Sequence, residues 1–269
     1  MARERAPPDR AEAGDGGRRG IGAAEKAIDM LAALTQAGAA APLRDLARAA
    51  GMPPSLAHRY LSSLIARGLA RQDADTGFYD LGPLAIRMGA AALSRVDPLA
   101  RATEAMAGLG DSTGLTVLLT VLGERGPVIV RWRRSATPFL TSLAVGSTLP
   151  LTRSASGRAM LAFLPERIAC DLIVRDAGDR RRDGEETARL SSRLAAIRAQ
   201  GYDMADSTVI PGLAALAAPV LDAQNEAVAA LTLIGAVADV EAMRAHAAAS
   251  LIACCRSITR ACGGEPDVA

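Results

Sequence analysis

Apolar positions along the first ninety residues recur three and four apart, the period of helices packed by one face; further on they gather into short β-prone runs. Ala27, Ile28, Leu31 and Leu34 predict a helix over about residues 24–36, with Glu25, Lys26 and Asp29 outside. A second helix follows Pro42. Leu43, Leu46, Ala47 and Ala50 form its apolar stripe while Arg44, Asp45 and Arg48 point away. Gly51 stops it, because glycine takes the left-handed conformation a helix end commonly needs. Pro53 and Pro54 lack amide hydrogens, which costs nothing in a first turn, so a third helix can run from there to about residue 67, before Gly68. Leu56, Tyr60, Leu61 and Leu64 make its buried side.

The stretch LARQDADTGFYDLG then has the form of a β-hairpin: strands over 69–72 and 78–81, with a tip over 73–77. Three helices and a hairpin make a winged helix-turn-helix. Pro83 opens a further helix over 84–94, which Asp97-Pro98 interrupts, the natural place for a linker between two domains.

From Leu99 the pattern changes. A helix to about residue 109 precedes β-rich runs over 115–122 and 128–133, separated by the turn GERGP, and a third strand is expected over 139–145. A turn-rich stretch leads into a helix opening at 155–158. Helices over 166–175 and 186–200 flank the charged loop DAGDRRRDGEE, strands resume over 202–207, 213–221 and 228–234, and a last helix spans 240–262. Strands in blocks with helices between them predict an α+β domain with an antiparallel sheet.

Composition narrows the class. At 269 residues, half of them apolar, the chain is long enough for two cores. Apolar runs such as 115–123 are too short to span a bilayer, and the first residues carry no apolar signal region, so no membrane and a cytoplasmic location are expected. Residues 1–20, rich in Arg, Asp, Glu, Gly and Pro, cannot bury apolar area and are expected to be a disordered tail. Cys170, Cys254, Cys255 and Cys262 show no paired spacing and read as small buried hydrophobes; with only His58 and His246 besides, no metal and no cofactor are expected.

Net charge is only +2, and between Ile21 and Asp80 six basic side chains balance six acidic ones. A nucleic-acid partner must therefore be met by the arrangement of charge, not its total. That arrangement exists. From Leu46 to Gln72 there are four arginines and no acid, and Ser55, His58, Arg59, Ser62, Ser63 and Arg67 share the exposed sector of the third helix. Short hydroxyls and arginines hydrogen-bond phosphates and base edges, so this face, with Arg44 beside it, suits a DNA major groove. The wing, carrying Asp73, Asp75 and Asp80, is expected to add little phosphate binding. GDSTG at 110–114 matches a hydrolase elbow, with His246 the one candidate base. That elbow needs a strand before its serine and a helix after it, the reverse of the order here, so no enzyme is expected. The triple arginine 180–182 reads as a solvated loop.

Over nearly all of residues 21–262 the chain resembles the IclR family of bacterial transcriptional regulators. The resemblance is carried by AEKAIDML, LRDLARAAGMPPSLAHRYLSSLIARGL, DADTGFYDLGP, VGSTLPLTRSASGRAMLAFLP, QGYDMADS and GLAALAAPVLDAQNEAVAALTLIG, in order and at fitting spacings. It implies a winged helix-turn-helix over 21–82, a linker helix over 83–97, a GAF-like effector-binding domain over 98–263 and a tail over 264–269. It implies homodimers or homotetramers on palindromic double-stranded operators, often near catabolic genes. DNA would be read by the helix over 53–67, with Ser55, His58 and Arg59 touching it. The chain departs in having Pro54 where a lysine is frequent and Asp80 where a basic wing residue is frequent.

The effector pocket implied by the resemblance falls on Leu149, Ser154, Ala155 and Ser156, then Asp206, Ala215, Thr232 and Ile234. The helix opening at 155–158 would favour a carboxylate through its free amides; Ser154 simply capping that helix is compatible with this. Arg153 is a candidate counter-charge or an exposed arginine. Ala215 stands where a cysteine is frequent and Ile234 where a second hydroxyl occurs in some members, so a small organic acid with an apolar or aromatic body is expected over a very small acid. The rival function is a small-molecule sensor working through a protein partner without operator binding.

Overall fold

The computed structural model describes residues 21–136, 141–177 and 184–265. The expected tail, the triple arginine and the first residues of the expected third strand lie outside these. The chain divides into two compact units, the boundary falling between Ala92 and Leu93.

In the N-terminal unit α1 (Gly22–Gln36), α2 (Leu43–Ala49) and α3 (Pro54–Ala66) pack around one core, followed by the antiparallel pair β1 (Ala70–Gln72) and β2 (Tyr79–Leu81). Met30, Ala33 and Leu34 of α1, Leu46 and Ala47 of α2, and Ala57, Leu61 and Leu64 of α3 form that core, closed by Tyr79 of the hairpin. Burying one such leucine contributes about 1.5–3 kcal/mol. The expectation for α1 is corrected at one position. Met30, Ala33 and Leu34 define the buried stripe, and Ile28, two residues before Met30, is rotated outward and 63% exposed. The hairpin is tied back to the entry of α2 by reciprocal bonds between Ala41 and Tyr79, 2.9 Å each. α4 (Pro83–Leu93) follows with no buried residue.

The C-terminal unit is a five-stranded antiparallel sheet in the order β4-β3-β7-β6-β5, from β3 (Thr116–Gly123), β4 (Gly126–Arg133), β5 (Asp203–Asp206), β6 (Leu213–Leu221) and β7 (Ala227–Ala236). One face is covered by α5 (Pro98–Thr113) and α10 (Arg244–Ala261), through Met106, Leu109, Leu251 and Ile258 against Val117, Leu119, Leu216 and Leu231. The other carries α6 (Ala155–Leu161), with α7 (Glu166–Ala177) and α8 (Gly184–Gln200) outside it. Ala155 and Ala159 of α6 meet Ala205 and Ala217 of the sheet, small residues that let the helix approach closely.

Asp97-Pro98, which reads as an interruption, is the start of α5. The Asp97 carboxylate accepts the Leu99 and Ala100 amides, both at 3.0 Å, and Pro98 occupies the first turn.

Two expectations are overturned. Residues 141–145 form no strand: the Leu143 amide donates to Thr141 Oγ1 (3.1 Å) and the Ala144 amide to Ser147 Oγ (2.9 Å), so hydroxyls capture the donors a ladder would need. The chain meets the edge of β4 only afterwards, where Gly146 and Leu149 donate to Ile129 and Pro127. The last helix is two helices, α9 (Val237–Ala242) and α10, parted at Met243. α9 is held by the Val237 amide on the Gly212 carbonyl (3.1 Å) and by the wholly buried Val240, so tertiary anchoring overrides a locally continuous helical pattern.

Candidate functional site

α2 and α3 are joined through Gly51, at φ +60°, and the buried Met52. Arg44 on α2 and Ser55, His58, Arg59, Ser62, Ser63 and Arg67 along α3 are all exposed, opposite Ala57, Leu61 and Leu64. Ala57, wholly buried, is the core residue that the sequence pattern passes over in favour of the half-buried Leu56 and Tyr60. Ser62 Oγ donates to the His58 carbonyl (2.8 Å) and Ser63 Oγ to that of Arg59 (3.0 Å), which leaves the hydroxyl oxygens as acceptors on the open face.

Ion pairs sort the cations of this unit. Arg44 and Arg48 share Asp45 at 3.5 and 3.4 Å, and Arg71 is held by Asp80 at 2.6 Å. Among the described residues no carboxylate lies within ion-pair reach of Arg59 or Arg67, so the unpaired positive charge along α3 and its C-terminal end sits on the exposed face. The Arg71 hydrogen bond, with the Leu81 amide, holds the Asp80 carboxyl below the usual carboxylate range.

In the C-terminal unit a cleft opens to solvent between the start of α6, the strands β3, β6 and β7, and the loop before β6. Leu149, Ser154, Ala155, Ser156, Ala215, Thr232 and Ile234 all line it. Asp206 does not. β5 pairs with β6 so that Ala205 lies across from Ala215 and faces the cleft, which turns the neighbouring Asp206 outward into solvent. The register of β5 on β6, and not alternation within β5, selects Ala205 over Asp206. Leu118, Leu143, Leu213 and the loop residues Thr208 to Ile210 complete the wall, brought in by register and loop path, which sequence spacing does not encode.

The polar content of this wall is hydroxyl. Ser156 Oγ and Thr232 Oγ1 are 2.9 Å apart and buried, and Ser154 caps α6 by accepting the Gly157 amide at 3.0 Å. Arg153 is exposed and donates to the Thr208 carbonyl at 3.0 Å, bracing the loop at the rim. Trp132 packs beside the cleft with Leu143, Leu149 and Leu213.

A group that sequence reasoning missed fixes α6 in place. Asp203, wholly buried, accepts from Arg158 of α6 at 2.6 Å and Arg193 of α8 at 2.7 Å. Both arginines also donate to the Met204 carbonyl. Three charges 35 and 10 positions apart carry no local signal of belonging together.

The hydrolase motif lies in the last turns of α5. Ser112 Oγ donates to the Leu109 carbonyl (3.0 Å), and His246 Nε2 is 3.1 Å from the Ser112 carbonyl, not from its hydroxyl, so no base addresses the serine. Cys255 and Cys262 are buried and Cys254 half-buried, whereas Cys170 on α7 is exposed, against expectation, because it falls outside the stripe through which α7 meets Leu161 and Ile197. Burial pushes the Cys255 thiol well above its usual value. Among the described residues there is no group of three or more His, Cys, Asp or Glu that could hold a metal ion, and no helix long and apolar enough to cross a membrane.

A family described as "IclR helix-turn-helix domain" matches residues 23–74, and one described as "Bacterial transcriptional regulator IclR C-terminal" matches residues 90–260. The chain belongs to the IclR family of transcriptional regulators. It is similar to the HTH-type transcriptional regulator BhcR of Paracoccus denitrificans, 30% identical over 218 residues, 80% of this chain and 78% of that protein. It is also similar to the glycerol operon regulatory protein of Streptomyces griseus, 32% identical over 223 residues, 81% of this chain and 86% of that one. Among solved structures, Pseudomonas aeruginosa HmgR is 37% identical with a TM-score of 0.72, covering 93% of this chain and 100% of that chain. The IclR-type assignment makes the N-terminal unit a DNA-binding module and the C-terminal unit an effector-binding one. It makes the chain a regulator and not an enzyme, and it sets aside a sensor that lacks operator binding.

Proposed function

We propose that this IclR-type regulator controls a catabolic operon by reading a palindromic operator through α3 and releasing or holding it in response to a small organic acid with an apolar, aromatic-sized body. Residues 21–82 read DNA, 83–97 link, and 98–263 sense. The observation that carries the ligand class is the cleft wall: Leu118, Leu149, Leu213 and Ile234 are aliphatic, the polar side chains are hydroxyls, and among the described residues no charged side chain lines it. A very small acid would leave that aliphatic surface uncovered, whereas a ring would fill it and keep one polar end for Ser154, Ser156 and Thr232. An operon-regulating role agrees with the name of the glycerol operon relative.

On the reading helix, Ser55, His58 and Arg59 supply base-edge contacts, with Ser62, Ser63, Arg67 and Arg44 on the flanking backbone. A palindromic site demands a two-fold protein, a homodimer or a pair of them in a homotetramer. Exposed apolar side chains on α1 and α4 offer surface that a second subunit would cover: Ile28 is 63% exposed, Ile86 69% and Met88 58%. A DNA-bound regulator of this kind resides in the cytoplasm. The ligand ties the rim loop to the sheet and alters how the linker helices hold two reading heads about one helical turn apart. A coupling of about 1–3 kcal/mol changes operator affinity roughly 5- to 150-fold.

Calorimetry with phenylacetate, 4-hydroxyphenylacetate and benzoate, beside glyoxylate and pyruvate, tests the ligand class. Heat from an aromatic acid and none from the two small acids is expected; the opposite pattern contradicts it.

A further inference from the structure

We infer that the wing holds a masked phosphate-binding site: Arg71, positioned to meet the DNA backbone, is kept from it by Asp80. The inference rests on the DNA-binding assignment and not on the ligand reading. Arg71 follows Arg67, near the end of the reading helix, by four residues, and the hairpin that carries it continues directly from α3. Its side chain is 67% exposed, as a backbone-contacting cation must be. Yet β1 and β2 place Arg71 and Asp80 directly opposite, and the guanidinium donates to the carboxylate at 2.6 Å. The Asp80 carboxylate is fixed in turn, since its other oxygen accepts the Leu81 amide at 2.7 Å. Asp73 also acts on Arg71 at longer range, while its Oδ1 accepts from the Thr76 amide and hydroxyl and the Asp75 amide.

A phosphate oxygen approaching Arg71 therefore meets a cation already neutralised, and a carboxylate beside it that repels the phosphodiester. Arg59 and Arg67 are left as the unpaired arginines of the described DNA-reading region. Sequence-independent affinity is set chiefly by the number of phosphates neutralised, each contributing a slope of about −0.9 to the dependence of log affinity on log salt. Masking one cation keeps that number low. The regulator then leaves DNA more readily between encounters with its operator, and the ligand-driven change in affinity is not swamped by non-specific binding.

The test is fluorescence anisotropy of the full-length protein on a random-sequence 30-base-pair duplex between about 20 and 200 mM salt, a range over which phosphate contacts dominate. Asp80→Asn is expected to tighten binding roughly five- to tenfold near 0.1 M salt and to steepen the slope by about 0.9. Arg71→Gln alone removes no phosphate contact, so the salt slope is expected to stay that of the wild type, with affinity lowered modestly by the Asp80 carboxylate left unpaired. The pair Asp80→Asn with Arg71→Gln is expected to lose most of the gain. An unchanged slope for Asp80→Asn, a gain that survives in the double variant, or a slope shallower by about 0.9 for Arg71→Gln alone would each overturn the inference. Matching thermal melts for wild type and variants separate these outcomes from a wing that no longer forms.

Discussion

Ser156 Oγ and Thr232 Oγ1 face each other at 2.9 Å across the seam between α6 and β7, each residue almost wholly buried. Each hydroxyl is the other's partner in a mostly apolar wall. Thr232→Val keeps the shape and strands the Ser156 hydroxyl, which is expected to cost about 1–3 kcal/mol. Adding Ser156→Ala should recover part of that loss. Chemical denaturation of the single and double variants measures both.

Gly157 shows how tightly α6 is seated. A Cβ there would lie 1.9 Å from the Leu151 carbonyl oxygen, a backbone atom that cannot swing aside. Gly157→Ala is expected to destabilise by about 1–3 kcal/mol or more and to disorder the cleft. Gly108, mid-helix in α5, has nothing within 4 Å of such a Cβ, so Gly108→Ala is expected to stabilise by roughly 0.5–1 kcal/mol. Melting temperatures moving in opposite directions for the two glycines are the expected result.

The buried Asp203 should prove indispensable to the effector unit. Asp203→Asn leaves Arg158 and Arg193 without their counter-charge, and breaking such a pair is expected to cost about 3–5 kcal/mol. Denaturant unfolding followed by Trp132 fluorescence reports on it, since Trp132 lies in the same unit.

Thiol chemistry divides by burial. Cys170 is expected to react with a thiol reagent in the native protein, and Cys255 only after denaturation. Burial raises the native Cys255 value above its unfolded one, so its contribution to stability is present in full below the ordinary thiol value of about 9 and is lost as pH climbs toward the raised value. Stability measured between pH 8 and 10 should fall across the upper part of that range, and Cys255→Ala should blunt the fall.

The helix α3 was legible because its signals are local: prolines at its start, glycines bracketing it, and a 3.6-residue alternation between Leu61 or Leu64 and the polar face. Most of the sheet followed from β-prone runs bounded by turns. What stayed hidden depends on partners far along the chain. The Thr141 and Ser147 hydroxyls dissolve a strand that composition favours, and anchoring of Val237 and Val240 breaks a helix with no proline or glycine at the break. Ser156, Thr232 and Ala215 line the cleft, and Ala205 and not Asp206 faces inward, because pairing with β6 decides which side of β5 is seen.

The claim on which all else depends is that the exposed face of α3 meets the operator. The direct measurement is the affinity of the full-length protein for palindromic DNA from its own upstream region, with and without the paired substitution Ser55→Ala and Arg59→Ala, across a range of salt. Base-edge contacts of this kind are each worth about 1–3 kcal/mol, so a loss of tenfold or more with an unaltered melt is expected. Unchanged affinity at every salt concentration would contradict it.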